Sequence, residues 1–292
     1  MPKISLSTWC LFLKMDYRQA IQFAIDHGFQ GIEIWFGEFD FFPDTITKKD
    51  IHTIRSIARK KDIPLAIHVP LSNNLADINK GHLKESIHQL KETIRLCHEA
   101  GAEILVIHPG MMPQMYTGMV PEAPIYDRSS STRYPQLTLT TLRRNAVTRF
   151  KKSLRDAVSF AEKHNVMIAL ENCGHIGNCV QSRFEDLVEW VDEIANPALQ
   201  ITLDVGHANL EGGVQKAIEV FGPRIKHVHL NDNNGATGGH GELGTGTIDW
   251  NAINPFMKSF SGMLSLEIYA FNDAEGAILR SKSFLENLLN EN

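Results

Sequence analysis

Four cysteines in 292 residues, none of them in a C-x-x-C pair, are too few for a disulfide framework and lead us to expect a reduced, cytoplasmic protein. No apolar run approaches the roughly 20 residues that cross a bilayer, so no membrane segment is expected. The opening MPKISLSTWC places no basic stretch ahead of a long apolar one, and no secretory signal is read there. A basic excess is also missing. Lys and Arg number 29 against 34 Asp and Glu, a net charge of −5 with 13 histidines neutral, which leaves no overall footprint for nucleic acid. The turn after the first apolar run is Thr8-Trp9-Cys10 rather than a glycine-rich phosphate loop, which argues against an open dinucleotide-binding sheet.

What is present is alternation. Short runs rich in β-branched residues recur between longer amphipathic stretches, the pattern of parallel strands joined by helical crossovers. Strands are expected at Ile4–Ser7, Gly31–Trp35, Pro64–His68, Glu103–His108, Val166–Glu171, Gln200–Asp204, Ile225–Leu230 and Met263–Glu267. Helices are expected at Tyr17–His27, Thr47–Lys61, Gly81–Ala100, Leu142–Asn165, Arg183–Ala195, Gly213–Phe221, near Trp250–Phe260, and at Ala274–Leu289. Stop signals such as Gly28, Gly101, Asn196-Pro197 and Gly222-Pro223 punctuate them. With no compositional break, the expectation is an α/β fold: one (β/α)8 TIM barrel spanning residues 1–292.

One connection departs from the repeat. Residues 109–141, rich in Pro, Met, Ser, Thr and Tyr, show no periodicity. A loop of that length following a barrel strand lies on the catalytic face, where it reads as a lid or a specificity loop. A disordered or oligomer-contact insert is the other reading.

The chemistry lies in how the strands end. The third ends in His68, the fourth in His108 and the fifth in Glu171. The sixth ends in Asp204, followed by His207; the seventh carries His229, and the eighth Glu267. In a parallel barrel these ends converge on one mouth. Charges at the ends of apolar strands cost several kcal/mol unless paired or coordinated, so the set reads as a divalent-metal site. Glu171, Asp204, His229 and Glu267 offer three carboxylates and one imidazole, a set that suits Mn²⁺ or Zn²⁺, with Mg²⁺ or Co²⁺ as alternatives.

The motifs HPG (108–110), EN (171–172), DVGH (204–207), HLND (229–232) and LGTG (243–246) follow one another in order, each at a strand end. With them the chain resembles the xylose-isomerase-like barrel superfamily, which includes sugar and sugar-phosphate isomerases and epimerases as well as endonuclease IV. The resemblance implies one divalent metal on Glu171, Asp204, His229 and Glu267. It also implies that Glu171 and Glu267 act as an acid/base pair on opposite faces of the sugar. Such a pair moves a proton next to a carbonyl by way of a metal-stabilised enediolate. His207 would then contact a substrate hydroxyl.

The alternative within the same resemblance is a zinc-dependent phosphodiesterase acting on abasic DNA. Its ligand set maps onto His68, His108, Glu171, Asp204, His207, His229, His240 and Glu267. A ninth ligand, an aspartate two residues before the histidine that aligns with His240, is replaced by Gly238, unless Asp232 or water substitutes. The NNGATGG segment is also bare of basic residues, which weakens the nucleic-acid reading; Arg128, Arg133, Arg143 and Arg144 near the long insertion are the available cations for DNA or for a sugar phosphate. In the isomerase reading, His68, His108, His207 and His240 become substrate-binding imidazoles or ligands of a second metal bridged by Glu171.

Further residues carry weaker signals. Glu33 either hydrogen-bonds substrate or a neighbouring ligand, or is a buried structural carboxylate. Trp9 and Trp35 either wall the pocket or pack in the core. His227 shares a strand face with His229 and is a candidate to support it. Asp232 orients a ligand or caps the following loop. His82, His88 and His98 read as solvated helix residues, and Cys173 and Cys179 as inert thiols. The glycine-rich 235–246 stretch reads as a flexible lid, with phosphate capture on its N–H groups as the alternative. The expected partner is a small sugar or sugar phosphate, and self-association into a homo-oligomer stays open.

Overall fold

The computed structural model describes residues 2–37, 41–112, 139–174, 178–237 and 239–291. Eight parallel strands close on themselves in sequence order, β1 through β8, with β1 pairing to β8. They are β1 (Lys3–Ser7), β2 (Gly31–Trp35), β3 (Leu65–His68), β4 (Ile104–Ile107), β5 (Met167–Glu171), β6 (Leu199–Asp204), β7 (Ile225–Leu230) and β8 (Met263–Leu266). This is the expected (β/α)8 barrel, and each strand lies within a residue or so of its expected bounds.

Nine α-helices surround the strands among the described residues. They are α1 (Tyr17–Asp26), α2 (Lys48–Lys61), α3 (Lys80–Ala100), α4 (Leu139–Lys163), α5 (Phe184–Ile194), α6 (Val205–Glu211), α7 (Val214–Phe221), α8 (Trp250–Ser259) and α9 (Ala274–Asn290). Their starts follow from local chemistry. Asp16 caps α1 in a reciprocal box with Gln19, Thr47 caps α2 with Asp50, and Asn79 caps α3. Gly101 ends α3 at φ 82°, a left-handed conformation that glycine adopts without steric cost. Each helix buries one stripe against the sheet. In α5 that stripe is Phe184, Leu187, Trp190 and Val191, with Trp190 edge-on to Phe150 of α4 at 4.9 Å between ring centroids.

One element, α6, was not expected. Seven residues containing Gly206 carry no amphipathic period. It forms because Asp204, the last residue of β6, accepts the backbone N–H of His207 at 2.6 Å and caps it.

The lumen is filled by small and polar groups as well as apolar ones. A Cβ added at Gly31 would meet Ser5 Cβ at 2.9 Å and Met263 Sδ at 2.7 Å, so β1, β2 and β8 pack closely at this level. On the outer side of the strands the alternate residues Leu6, Ile32, Ile34, Leu105, Leu170 and Leu203 are buried in the core cluster with the helices. Most of the 109–141 insertion, including Arg128 and Arg133, and also Gly238 lie outside the described residues. No described helix is long and apolar enough to cross a membrane.

Candidate metal centre

The barrel brings Glu171, Asp204, His229 and Glu267 together: one ligand atom from each lies within 4.8 Å of the others, and all four residues are buried. Asp204 and His229 are register partners on β6 and β7, so their side chains share one level of the barrel. His229 Nδ1 stands 3.1 Å from Glu267 Oε2, 3.3 Å from Glu171 Oε1 and 3.9 Å from Asp204 Oδ2. It is buried and makes no hydrogen bond. A buried nitrogen without a hydrogen bond, facing three carboxylates, is a donor set that fits a divalent cation.

The candidate ligands are held by neighbours. Asp204 uses Oδ1 to cap α6, while Asn231 Nδ2 donates to its Oδ2 at 2.9 Å. The Asn172 side chain pairs with the main chain of Asp204 in both directions: Nδ2 donates to the Asp204 carbonyl at 3.1 Å, and Oδ1 accepts its N–H at 2.9 Å. Asn233 Nδ2 donates to the Gly206 carbonyl at 2.8 Å. The asparagines of the EN motif and of HLND are therefore supports for Asp204, a role not assigned to them from sequence. Their proximity to ligands was the only signal available.

Electrostatics follow from burial opposed by charge. Burial pushes the Glu171 carboxyl up, but His108 and His229 outweigh it and hold it well below the usual carboxylate range. Glu267 is likewise lowered against burial by His229 and then His240. Burial depresses His229, yet Glu267, Glu33 and Glu171 together raise it well above an ordinary imidazole. The lowered carboxyls of Glu171 and Glu267 thus concentrate negative charge beside His229, and positive charge is favoured there.

A second cluster shares Glu171. Ligand atoms of His68, His108 and Glu171 lie within 4.8 Å of one another, with His68 Nε2 at 3.2 Å and His108 Nε2 at 3.3 Å from Glu171 Oε2. The His68 Nδ1–H donates to the Val69 carbonyl at 2.7 Å, His207 Nδ1–H to Asn172 at 2.8 Å, and His240 Nδ1–H to Glu267 at 3.2 Å. In each neutral ring the lone pair is then on Nε2. His240 also packs against Trp9, with centroids 4.9 Å apart, and Trp9 is half-buried beside Tyr269. Trp35, by contrast, is buried at the end of β2, edge-on to Phe12 at 5.1 Å.

Glu33 is a hydrogen-bond partner of a ligand. Its Oε2 accepts from His227 Nε2–H at 2.7 Å and from His229 Nε2–H at 2.8 Å. Asp232 is the loop cap, with no capacity left over for a ligand. Its Oδ2 accepts from Gly244 N–H at 3.0 Å and Trp250 Nε1–H at 2.9 Å, and its Oδ1 from Asn233 N–H at 2.9 Å and Ile248 N–H at 3.4 Å. Asp232 thus folds the 232–250 loop and does not replace the carboxylate missing at Gly238. His82, His88 and His98 are exposed on α3. Cys173 and Cys179 lie closer than the sequence suggests, with Sγ atoms 3.0 Å apart and both buried. Arg143 donates to the Gln181 carbonyl at 3.5 Å.

A closed eight-stranded barrel with carboxylates and imidazoles gathered at one mouth defines a class of (β/α)8 proteins with a candidate metal centre. The chain matches the xylose isomerase-like TIM barrel family over residues 21–288 and belongs to it. It is 26% identical over 285 residues to the protein MJ1311 of Methanocaldococcus jannaschii, covering 96% of this chain and 87% of that one. A probable endonuclease 4 of Thermoplasma acidophilum is 26% identical over 202 residues, 64% of this chain and 60% of the relative. Among solved structures, a D-tagatose 3-epimerase-like protein superposes with a TM-score of 0.77 at 23% identity, covering 98% of this chain and 97% of that one.

Proposed function

We propose that the protein is a divalent-metal-dependent isomerase or epimerase of a sugar or sugar phosphate, with Glu171 and Glu267 as the proton-transfer pair. The observation that carries this reading is the buried quartet Glu171, Asp204, His229 and Glu267, with one ligand atom from each within 4.8 Å of the rest. A divalent cation in that quartet supplies positive charge beside the substrate oxygens where negative charge develops. The chain's own groups do the rest. A carboxylate takes the proton from the carbon next to the carbonyl, and a second carboxyl on the other side of the substrate returns it, so that configuration at that carbon inverts. Burial of both carboxyls excludes water that would otherwise compete for the proton. His207 and His240 bind substrate hydroxyls in this reading, and the half-buried Trp9 ring offers an apolar face for sugar C–H groups.

The test is solvent exchange. In deuterated buffer, ketoses and their phosphates are screened for deuterium uptake next to the carbonyl. Glu171→Gln or Glu267→Gln should lower exchange by at least about 10²-fold, the usual scale of a lost general acid or base. Exchange that survives both substitutions would rule out the pair.

The cluster of His68, His108 and Glu171 favours a second reading, a phosphodiesterase with more than one zinc. That reading expects more than one metal per chain, cleavage of an abasic-site duplex, and its loss in His108→Ala. Elemental analysis separates the two: about one metal per chain supports the isomerase, and about three, mostly zinc, the phosphodiesterase.

A further inference from the structure

Glu33 sits on β2, across the lumen from β7, with no exposed surface. A lone carboxylate in that position carries a large desolvation cost, and a buried structural acid normally spends both oxygens on donors. Glu33 does not. Its Oε1 has no hydrogen-bond partner, and both of its bonds converge on Oε2 from His227 and His229.

Convergence on one oxygen fixes the tautomer of His229. An ionised carboxylate only accepts, so both imidazoles donate from Nε2. In the neutral ring the lone pair of His229 is then on Nδ1, the atom that faces Glu171, Asp204 and Glu267. His227, two residues earlier on the same strand face, holds Glu33 from the other side. Its centroid is 5.1 Å from that of His229 and the rings stand 88° apart, which leaves one carboxylate oxygen between two Nε2–H groups. His68, His207 and His240 bond main-chain carbonyls through Nδ1, whereas His229 is held through Nε2 by the Glu33 carboxylate, which leaves Nδ1 toward the quartet.

We infer that Glu33 is a positioning residue for the metal site: with His227 it locks His229 in the Nε2–H tautomer and turns Nδ1 toward the cation. The inference rests on the quartet's being a metal site. Glu33 also brings a negative charge one ring away from the cation, which strengthens the imidazole as a donor.

The test measures metal affinity rather than turnover. Mn²⁺ binding is followed by electron paramagnetic resonance on wild type, Glu33→Gln and Asp204→Asn. The Gln variant keeps an acceptor oxygen but removes the charge, so a purely structural role predicts an unchanged dissociation constant. Positioning predicts affinity weakened roughly 10- to 100-fold with the metal-free melting temperature preserved. Asp204→Asn serves as the control for the quartet itself. If wild type binds Mn²⁺, Asp204→Asn does not, and Glu33→Gln matches wild type, the positioning role is overturned while the quartet stands. If wild type binds no Mn²⁺, the quartet and the role fall together. Should Glu33→Gln not fold, ring-nitrogen NMR on wild type decides. The role expects the Zn²⁺-bound His229 ring to keep its proton on Nε2 and to show the metal shift at Nδ1. A Zn²⁺ shift at Nε2, with the proton kept on Nδ1, overturns it.

Discussion

Asp204 Oδ1 accepts the backbone N–H of His207 at 2.6 Å, so a single carboxylate both caps α6 and belongs to the quartet proposed to hold the metal. The two roles separate by substitution. Asp204→Asn keeps an acceptor for the cap and loses the charge; Asp204→Ala loses both. Both variants should purify with little metal by elemental analysis. In chelator, Asp204→Ala should melt lower than Asp204→Asn by an amount worth about 1 kcal/mol, the usual value of an N-cap. Equal melting temperatures would show that the cap contributes nothing.

Gly206 occupies a position that no side chain fits. An added Cβ would come 1.7 Å from Asn231 Oδ1 and 2.8 Å from its Cγ. Asn231 is the residue that donates to Asp204 Oδ2. Gly206→Ala should therefore displace Asn231, and metal affinity in a chelator competition should fall even though no ligand has changed. Unaltered affinity would mean that the Asn231 bond is dispensable.

The four bonds to Asp232 make the 232–250 loop depend on it. Asp232→Ala leaves buried N–H groups unpaired, at a cost of about 2–4 kcal/mol in chemical denaturation. Metal per chain should nevertheless stay at the wild-type value, because Asp232 has no role as a ligand. Loss of one metal equivalent without loss of stability would contradict that assignment.

Stability should carry an acid-sensitive component from Asp50. Burial acts to raise its carboxyl, but the Thr47 hydroxyl, Tyr17, the Thr47 main chain and Arg18 bring it down to about 2 from 3.8. Because the folded value is depressed, the contribution is complete above about pH 4 and is lost as pH falls toward the folded value. The stability difference between wild type and Asp50→Asn, from denaturant melts, should shrink over that window. A difference that is constant with pH would assign the effect to packing.

All four cysteines are buried, and burial raises the thiols of Cys10, Cys97 and Cys173 above their ordinary range. A thiol reagent should find essentially none in the native protein and all four after denaturation. Two instead of four after denaturation would show that Cys173 and Cys179 have joined as a disulfide.

The barrel was legible because its cause is local. β-Branched runs that carry Glu171, Asp204 and His229, and helices stopped at Gly28, Gly101 and Gly222, state their own secondary structure; eight such units in a row have few other ways to bury their apolar faces. The candidate ligands could be named for the same reason, since a charge at the end of an apolar strand is conspicuous in one dimension. Partnership was not. Glu33 and His229 are 196 positions apart on strands that are not neighbours, and only closure of the barrel lays one across the lumen from the other. Likewise Asp232 reads as a ligand or as a cap with equal ease, until the returning loop presents Gly244 and Trp250 to it. Sequence determines which groups are costly to bury. The tertiary structure decides which neighbour offsets that cost, because hydrogen bonds and ion pairs act over a few ångströms of space and not along the chain.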